Sequence, residues 1–245
     1  MSSKALYGLI GYPLEHSFSP AYFSDKFRLE NLNAEYRTFP ISAIEDLPIL
    51  LQQYPRLKGL NVTIPYKETV LSFLDALDPD AAVIGAVNCI SFAGGKKTGY
   101  NTDVIGFRNS LSPLLQPYMT HALVLGSGGA SKAVKFVLQQ LGIDYNVVSR
   151  TKNTGYITYK DVDARMITEN TLIVNTTPLG MYPTINDRPG IPYEALTNRH
   201  LLFDLIYNPE ATLFLQSGAK HGAMIKNGKE MLQLQAEASW TIWNL

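Results

Sequence analysis

The sequence predicts an α/β fold of two parts. A first α/β domain is followed by a Rossmann-like, doubly wound domain, and a final helix returns to the first. Three observations predict it. Short apolar runs alternate with helical stretches along the 245 residues. The turn Gly126-Ser127-Gly128-Gly129-Ala130-Ser131 leaves one apolar run and opens a helical one. From about Asp103 onward the pattern settles into strands separated by crossovers, which implies a parallel sheet with helices on both faces.

In order, residues 4–10 read as a strand ending at Gly11-Tyr12-Pro13. Ser19-Pro20 reads as a helix start, a hydroxyl N-cap with proline at the first helical position, and the helix runs through Tyr22, Phe23 and Phe27. Residues 34–39 and 60–64 are strands; residues 47–54 and 68–77 are helices. Residues 88–92 and 97–100 flank Gly94-Gly95, a hairpin signal. A helix over 103–115 is opened by Thr102 or Asp103. Strands follow at 121–125, 145–148, 172–174 and 201–205, with helices at 130–141 and 228–245. The expected division is 1–102 with 218–245 as one domain and 103–217 as the other.

Composition excludes several classes. Hydrophobic residues are 46% and charged residues 17%, which argues against disorder. Lys+Arg and Asp+Glu are 21 each, so nothing points to nucleic acid or an anionic membrane surface. The single cysteine, Cys89, excludes an intrachain disulfide framework and fits a reducing compartment. The first residues carry no signal-like apolar run, and no stretch approaches the ~20 residues of a membrane span. The expected location is the cytoplasm. The four histidines have no metal-ligand spacing, so no metal site is expected, and His16 is read as a maker of structural hydrogen bonds.

The glycine-rich turn sits in the context that the dinucleotide fingerprint requires. Gly126 permits the tight turn, Gly128 lets backbone approach a pyrophosphate, and the free N–H groups at the helix start receive its charge. The third fingerprint position is Ser131, a small residue in place of glycine; a tight strand–helix turn without a ligand is the alternative. About 20 residues on, an NAD site would carry an acid. Here Ser149-Arg150-Thr151-Lys152 offers cations and hydroxyls and no acid. A guanidinium fork at Arg150 suits a 2′-phosphate, and the expected cofactor is NADP(H). Solvated loop cations are the alternative for Arg150 and Lys152.

Lys67 stands just past a β-branched run and Pro65, where it can present an amine to a cleft as an acid or base. Asp103, at a helix N-terminus, is favoured in its charged form and can orient that amine. Taken singly, Lys67 also reads as a surface residue and Asp103 as an N-cap. Ser17 and Ser19 bring two hydroxyls to a helix start, suited to a carboxylate. Gln235 is a neutral polar residue in a mostly apolar helix.

Together these segments resemble the shikimate dehydrogenase family over essentially the whole chain. The matching pieces are Gly11-Tyr12-Pro13-Leu14-Glu15-His16-Ser17-Phe18-Ser19-Pro20, Asn61-Val62-Thr63-Ile64-Pro65-Tyr66-Lys67 and Gly85-Ala86-Val87-Asn88. They continue with Gly99-Tyr100-Asn101-Thr102-Asp103-Val104-Ile105-Gly106-Phe107, the glycine turn, Ser149-Arg150-Thr151, Asn175-Thr176-Thr177-Pro178-Leu179-Gly180-Met181 and Asp204-Leu205-Ile206-Tyr207. Asn227-Gly228, Met231-Leu232 and Gln235-Ala236 close the set. The resemblance implies reversible NADPH-dependent reduction of 3-dehydroshikimate to shikimate, a step of aromatic amino-acid biosynthesis. It implies Lys67 and Asp103 as the catalytic pair, and Ser17 and Ser19 at the substrate carboxylate. Thr63, Asn88 and Gln235 would hold ring hydroxyls, with Tyr207 beside the carboxylate or the nicotinamide. Arg150 and Thr151 would read the 2′-phosphate, and Asn175, Thr176 and Thr177 would line the cofactor cleft. The expected partner is the small-molecule substrate, on a monomer or homodimer.

Between Arg150 and Leu172 the chain is short for the family, and Lys152 is the expected substitute for a further phosphate-binding cation. Three rival readings remain. One is a quinate/shikimate dehydrogenase with relaxed specificity. Another is a related two-domain enzyme acting on methylene-tetrahydrofolate, which has no need of the Ser17/Ser19 pair. The third is a non-catalytic NADPH-binding regulator, whose signature would be loss of Lys67 or Asp103.

Overall fold

The structure is a computed structural model and describes residues 4–15 and 17–245. His16, expected to make structural hydrogen bonds, lies outside the described residues. The chain divides into two compact units, residues 1–105 with 232–245 and residues 106–231. The expected boundaries lay at 102/103 and 217/218.

The first unit is built on a sheet of, among the described residues, six strands. In chain order the elements are β1 (Ala5–Gly11), α1 (Phe18–Leu29), β2 (Ala34–Pro40), α2 (Leu47–Gln53), β3 (Leu57–Val62), β4 (Ala76–Leu77), α3 (Pro79–Ile84), β5 (Cys89–Ser91) and β6 (Thr98–Tyr100). The helix α4 (Thr102–Leu111) follows, and its first residues close this unit. The strand order is β2-β1-β3-β5-β6-β4. The strands β1, β2 and β3 run parallel, while β5 pairs antiparallel to both β3 and β6.

Strand alternation decides what each face carries. Leu6 and Ile10 of β1 and Leu60 and Val62 of β3 join Leu47 and Leu50 of α2 and Ala81 of α3 in one core cluster. Tyr7 faces the other way, into an aromatic cluster with Phe23, Phe27 and Trp243. That alternation also turns Gly59 and Asn61 toward the final helix, α8 (Lys229–Trp243).

Several expected boundaries moved. The first helix begins at Phe18 with Ser17 as its extended N-cap (φ −73°, ψ 139°), so Ser19 lies inside the first turn. Pro20 is tolerated there because the first four helical N–H groups have no intrahelical partner. The helix expected over 68–77 is only a 3₁₀ stretch, Thr69–Phe73. Beyond it, the Asp75 N–H donates to the Lys97 carbonyl, the Asp75 carboxylate accepts from the Lys97 N–H, and β4 pairs with β6. The α4 helix stops at Leu111 and tightens into a 3₁₀ turn over Ser112–Leu114, because Pro113 has no N–H for the next helical bond.

The second unit contains β7 (His121–Leu125), α5 (Gly129–Gln140), β8 (Asp144–Ser149), β9 (Tyr156–Thr158), α6 (Ala164–Glu169), β10 (Leu172–Asn175), β11 (Leu201–Asp204), α7 (Leu213–Lys220) and β12 (Met224–Lys226). Its strands pair in parallel in the order β12-β11-β10-β7-β8-β9. The order reverses between β7 and β10, the topological switch point of a doubly wound sheet. Both sheet faces are buried: Leu123, Ile173 and Leu202 pack with Ile167 of α6 and Phe214 and Leu215 of α7, while α5 covers β7 and β8. Because β12 pairs with β11, residues 218–231 belong to this unit.

Candidate active site

The first unit gathers polar side chains at the carboxyl end of β3 and the start of α4. The Lys67 ammonium donates to Asp103 Oδ2 at 2.7 Å, with side chains only 20% and 12% exposed. Two backbone bonds fix the lysine's place: the Tyr66 N–H donates to the Thr63 carbonyl, and the Lys67 carbonyl accepts from Val87 N–H at 2.7 Å. Asn88 supports the aspartate. Its Nδ2 donates to Asp103 Oδ1 at 2.9 Å and to Thr102 Oγ1 at 3.0 Å, while its Oδ1 accepts from the Thr102 N–H at 2.7 Å. That last bond satisfies one of the orphan donors at the helix start.

A buried hydrogen-bond chain runs on from there. Thr102 Oγ1 lies 3.3 Å from Gln235 Oε1 and 3.2 Å from Ser239 Oγ. Ser239 accepts from Asn61 Nδ2 at 3.0 Å, and Asn61 Oδ1 accepts from the Tyr36 hydroxyl at 2.8 Å. Burial pushes the Tyr36 phenol well above its ordinary pKa, and Ser19 stands within side-chain hydrogen-bond reach of it. Ser17 makes no side-chain cap bond, so its hydroxyl is not spent on the helix it precedes. Thr63 is half-buried at the end of β3.

In the second unit a cavity of about 570 Å³ opens where the carboxyl ends of β7, β8, β9 and β10 meet. Gly126, Ser127, Gly128, Ser149, Arg150, Thr151, Tyr159, Thr176 and Thr177 line it. Gly126 has φ +107°, a left-handed value, and a Cβ there would stand 2.7 Å from Thr176 Oγ1. At Gly128 an added Cβ would meet nothing within 4 Å, so backbone alone faces this side. Gly129 and Ala130 begin α5, whose N-terminal N–H groups attract an anion. Ser131 is fully buried and its hydroxyl donates to the Gly128 carbonyl at 2.6 Å, so the third fingerprint position is spent on the helix's own first turn. Arg150 and Thr151 are exposed at the cavity rim. Lys152 is exposed and is not among the lining residues.

Asn175 turns inward: its Nδ2 donates to Asp204 Oδ1 at 3.0 Å and its Oδ1 accepts from Thr177 N–H and Oγ1. Thr176 and Thr177 line the cavity, whereas the Asn175 side chain shapes the turn from behind. Tyr207 is half-buried after β11, its phenol pKa raised by burial. Thus Lys67, Asp103, Asn88 and Gln235 fall in one cluster, and the glycine turn, Ser149, Arg150, Thr151, Thr176 and Thr177 fall around one cavity. Sequence reasoning missed Tyr36, Asn61, Ser239 and Tyr159, and treated Thr102 only as a helix opener. Asn61 carried a usable signal, a carboxamide inside the buried strand Gly59-Leu60-Asn61-Val62.

Comparison with known proteins points to one family. A family model described as the shikimate dehydrogenase substrate binding domain matches residues 9–90. A relative from Methanococcus vannielii named shikimate dehydrogenase (NADP(+)) is 36% identical over 263 aligned residues, covering 99% of this chain and 92% of its own length. The crystal structure of shikimate dehydrogenase from Aquifex aeolicus superposes with a TM-score of 0.88 at 35% identity, covering 98% of this chain and 92% of the other. The Thermus thermophilus shikimate 5-dehydrogenase, solved with NADP(H) and shikimate, matches at TM-score 0.86 and 32% identity, covering 97% and 92%. With identity this high over nearly every residue, and with the lysine–aspartate pair and the glycine-turned cavity each formed, the chain belongs to the shikimate dehydrogenase family.

Proposed function

We infer that this chain is an NADP-dependent oxidoreductase catalysing the reversible reduction of 3-dehydroshikimate to shikimate. Within a chain of this family, the observation that carries the reading is the 2.7 Å contact between Lys67 and Asp103, brought together from separate segments and braced by Asn88. We assign the substrate to the unit of residues 1–105 and 232–245, and NADP(H) to residues 106–231.

The second-unit cavity fits NADP(H) on observations of its own. Gly126 and Gly128 leave the backbone bare, α5 points its N-terminus there, and Arg150 stands at the rim with no acid among the described lining residues. When bound, NADPH supplies the hydride. At the substrate carbonyl oxygen, the Lys67 ammonium donates a hydrogen bond that strengthens as negative charge builds, then gives the alkoxide a proton. In the oxidising direction the neutral amine takes that proton back from the hydroxyl. Asp103 holds the amine in place. Asn88 fixes the Asp103 carboxylate by a 2.9 Å bond, and Gln235 joins the same network through Thr102. Ser17 and Ser19 receive the substrate carboxylate; Thr63, Asn88 and Gln235 hold ring hydroxyls, with Tyr207 beside the carboxylate or the nicotinamide. Positioning supplies much of the rate, as for any reaction between two bound partners.

The test follows NADPH oxidation with 3-dehydroshikimate, with 3-dehydroquinate and without substrate. Oxidation should be fast with the first alone. Comparable turnover of the second supports the relaxed-specificity reading, and binding of NADPH without turnover of either supports a non-catalytic role. Lys67→Ala should lower kcat by about 10²–10⁴ while calorimetry still detects shikimate binding; a near-normal kcat removes the lysine from the chemistry.

A further inference from the structure

We propose that Tyr159 is a specificity-determining residue for NADP(H) over NAD(H), its hydroxyl donating a hydrogen bond to the 2′-phosphate beside Arg150. The proposal rests on the reading of the second-unit cavity as the NADP(H) site.

Register places the two residues together. Ser149 at the end of β8 pairs with Thr158 at the end of β9, so the next residues, Arg150 and Tyr159, leave adjacent strands side by side. Both line the same cavity, at the carboxyl ends of parallel strands where ligands of doubly wound sheets bind. The turn that presents Tyr159 is fixed by a capping box. Asp161 Oδ2 accepts from the Thr158 N–H and from Thr158 Oγ1, each at 2.8 Å. The ring is fixed as well, since it packs with Ile157 and Met166 against the second unit's core.

The hydroxyl is the unusual part. Its oxygen is buried and has no hydrogen-bond partner among the described residues. A buried donor without a partner costs free energy, and a phenylalanine would fill the same volume without that cost. Burial raises the phenol's pKa, and Arg150 is close enough to draw it back in part. The group therefore remains a protonated donor at neutral pH, beside Arg150, the one cation lining the cavity among the described residues. An O–H donor next to a guanidinium, sheltered from water, suits a phosphate oxygen better than a ribose hydroxyl. This also gives the short segment after Arg150 a purpose that Lys152, exposed and away from the lining, does not serve.

The experiment measures binding of adenosine 2′,5′-bisphosphate and of 5′-AMP to the full chain by calorimetry, for wild type and Tyr159→Phe. Wild type should bind the bisphosphate more tightly than AMP. The variant should lose roughly tenfold or more for the bisphosphate, with AMP and shikimate binding unchanged. Its ligand-free Tm should stay level or rise, because only an unpartnered oxygen is removed. Unchanged bisphosphate binding, or equal losses for both nucleotides, overturns the role of Tyr159. If wild type itself fails to distinguish the two nucleotides, the NADP(H) reading falls and this inference falls with it. If both proteins discriminate equally, Tyr159 alone is excluded and the reading of Arg150 stands.

Discussion

Asp204 shows how much a single buried side chain can set. It lies fully buried at the end of β11, with three donors aimed at it: Thr212 Oγ1 at 2.6 Å, Asn175 Nδ2 at 3.0 Å and the Ile206 N–H at 3.1 Å. Those donors favour the carboxylate, yet burial outweighs them and pushes its pKa up to about 6. Through Asn175 it holds the Thr177 turn at the cavity wall, so a group outside the cavity fixes part of its shape. A folded pKa above the ordinary 3.8 means that the native chain binds the extra proton between those values. Its contribution to stability is therefore largest at low pH and is lost as pH rises from about 4 through about 6. Relative to Asp204→Asn, which cannot titrate, wild type should be about 2–3 kcal/mol better off at pH 4 than at pH 7. Urea unfolding of both proteins at the two pH values measures this, and a constant difference would mean that the donors, not burial, govern the group. Sequence reading reached Lys67, Asp103 and Arg150 because each stands in a local setting that suggests chemistry. It did not reach the work of Asp204, whose partners Asn175 and Thr212 lie 29 and 8 residues away and meet it only in the folded sheet.

At the scale of elements, the placement of α8 follows from what β3 omits. A Cβ on Gly59 would stand 2.3 Å from Trp243 Cδ1 and Nε1, closer than any side chain tolerates. The indole cannot slide away without cost, because its Nε1 donates to the Ile90 carbonyl at 3.0 Å and its ring stacks on Tyr7 at 5.0 Å. From α1, Tyr22 and Lys26 are both bonded to Glu237 of α8. Gly59→Ala should therefore destabilise the protein by at least about 2 kcal/mol. Because Gln235 rides on the same helix, it should also raise the KM for shikimate more than that for NADPH. Thermal unfolding and steady-state kinetics read the two effects, and equal rises in both KM values would disconnect α8 from the substrate site. Long periodic elements such as α5 and α8 were legible beforehand, whereas short ones were not. The strand β9 spans only Tyr156–Thr158 and exists because β8 offers it an edge. The helix α3 did advertise both ends, with Asp78 capping, Pro79 at its first position and Gly85 at φ +66°. Its six residues are too few for helical periodicity to register.

For the whole molecule, the division into two compact units makes a claim about ligands that can be separated from catalysis. Each unit has its own sheet and core clusters, so each can respond to its own ligand. Binding slows exchange of amides in the structure that it stabilises, through the population of open forms that it suppresses. NADP+ alone should thus slow exchange around residues 126–131, 149–151 and 175–179, the backbone around the cavity. Shikimate alone should slow exchange around residues 61–67 and 101–103, and along α8 near Gln235. At a ligand concentration 100 times Kd the protection available is about 2.7 kcal/mol, well within the range of exchange measurements. The lysine cluster makes the sharper half of the test, because Asn88, Thr102 and Asp103 already share hydrogen bonds that a bound ring hydroxyl would extend. If shikimate instead protects amides of residues 106–231 and leaves those around Lys67 untouched, the substrate does not belong to the unit that holds the lysine–aspartate pair. That pair would then be a structural brace, and the proton would have to come from another group.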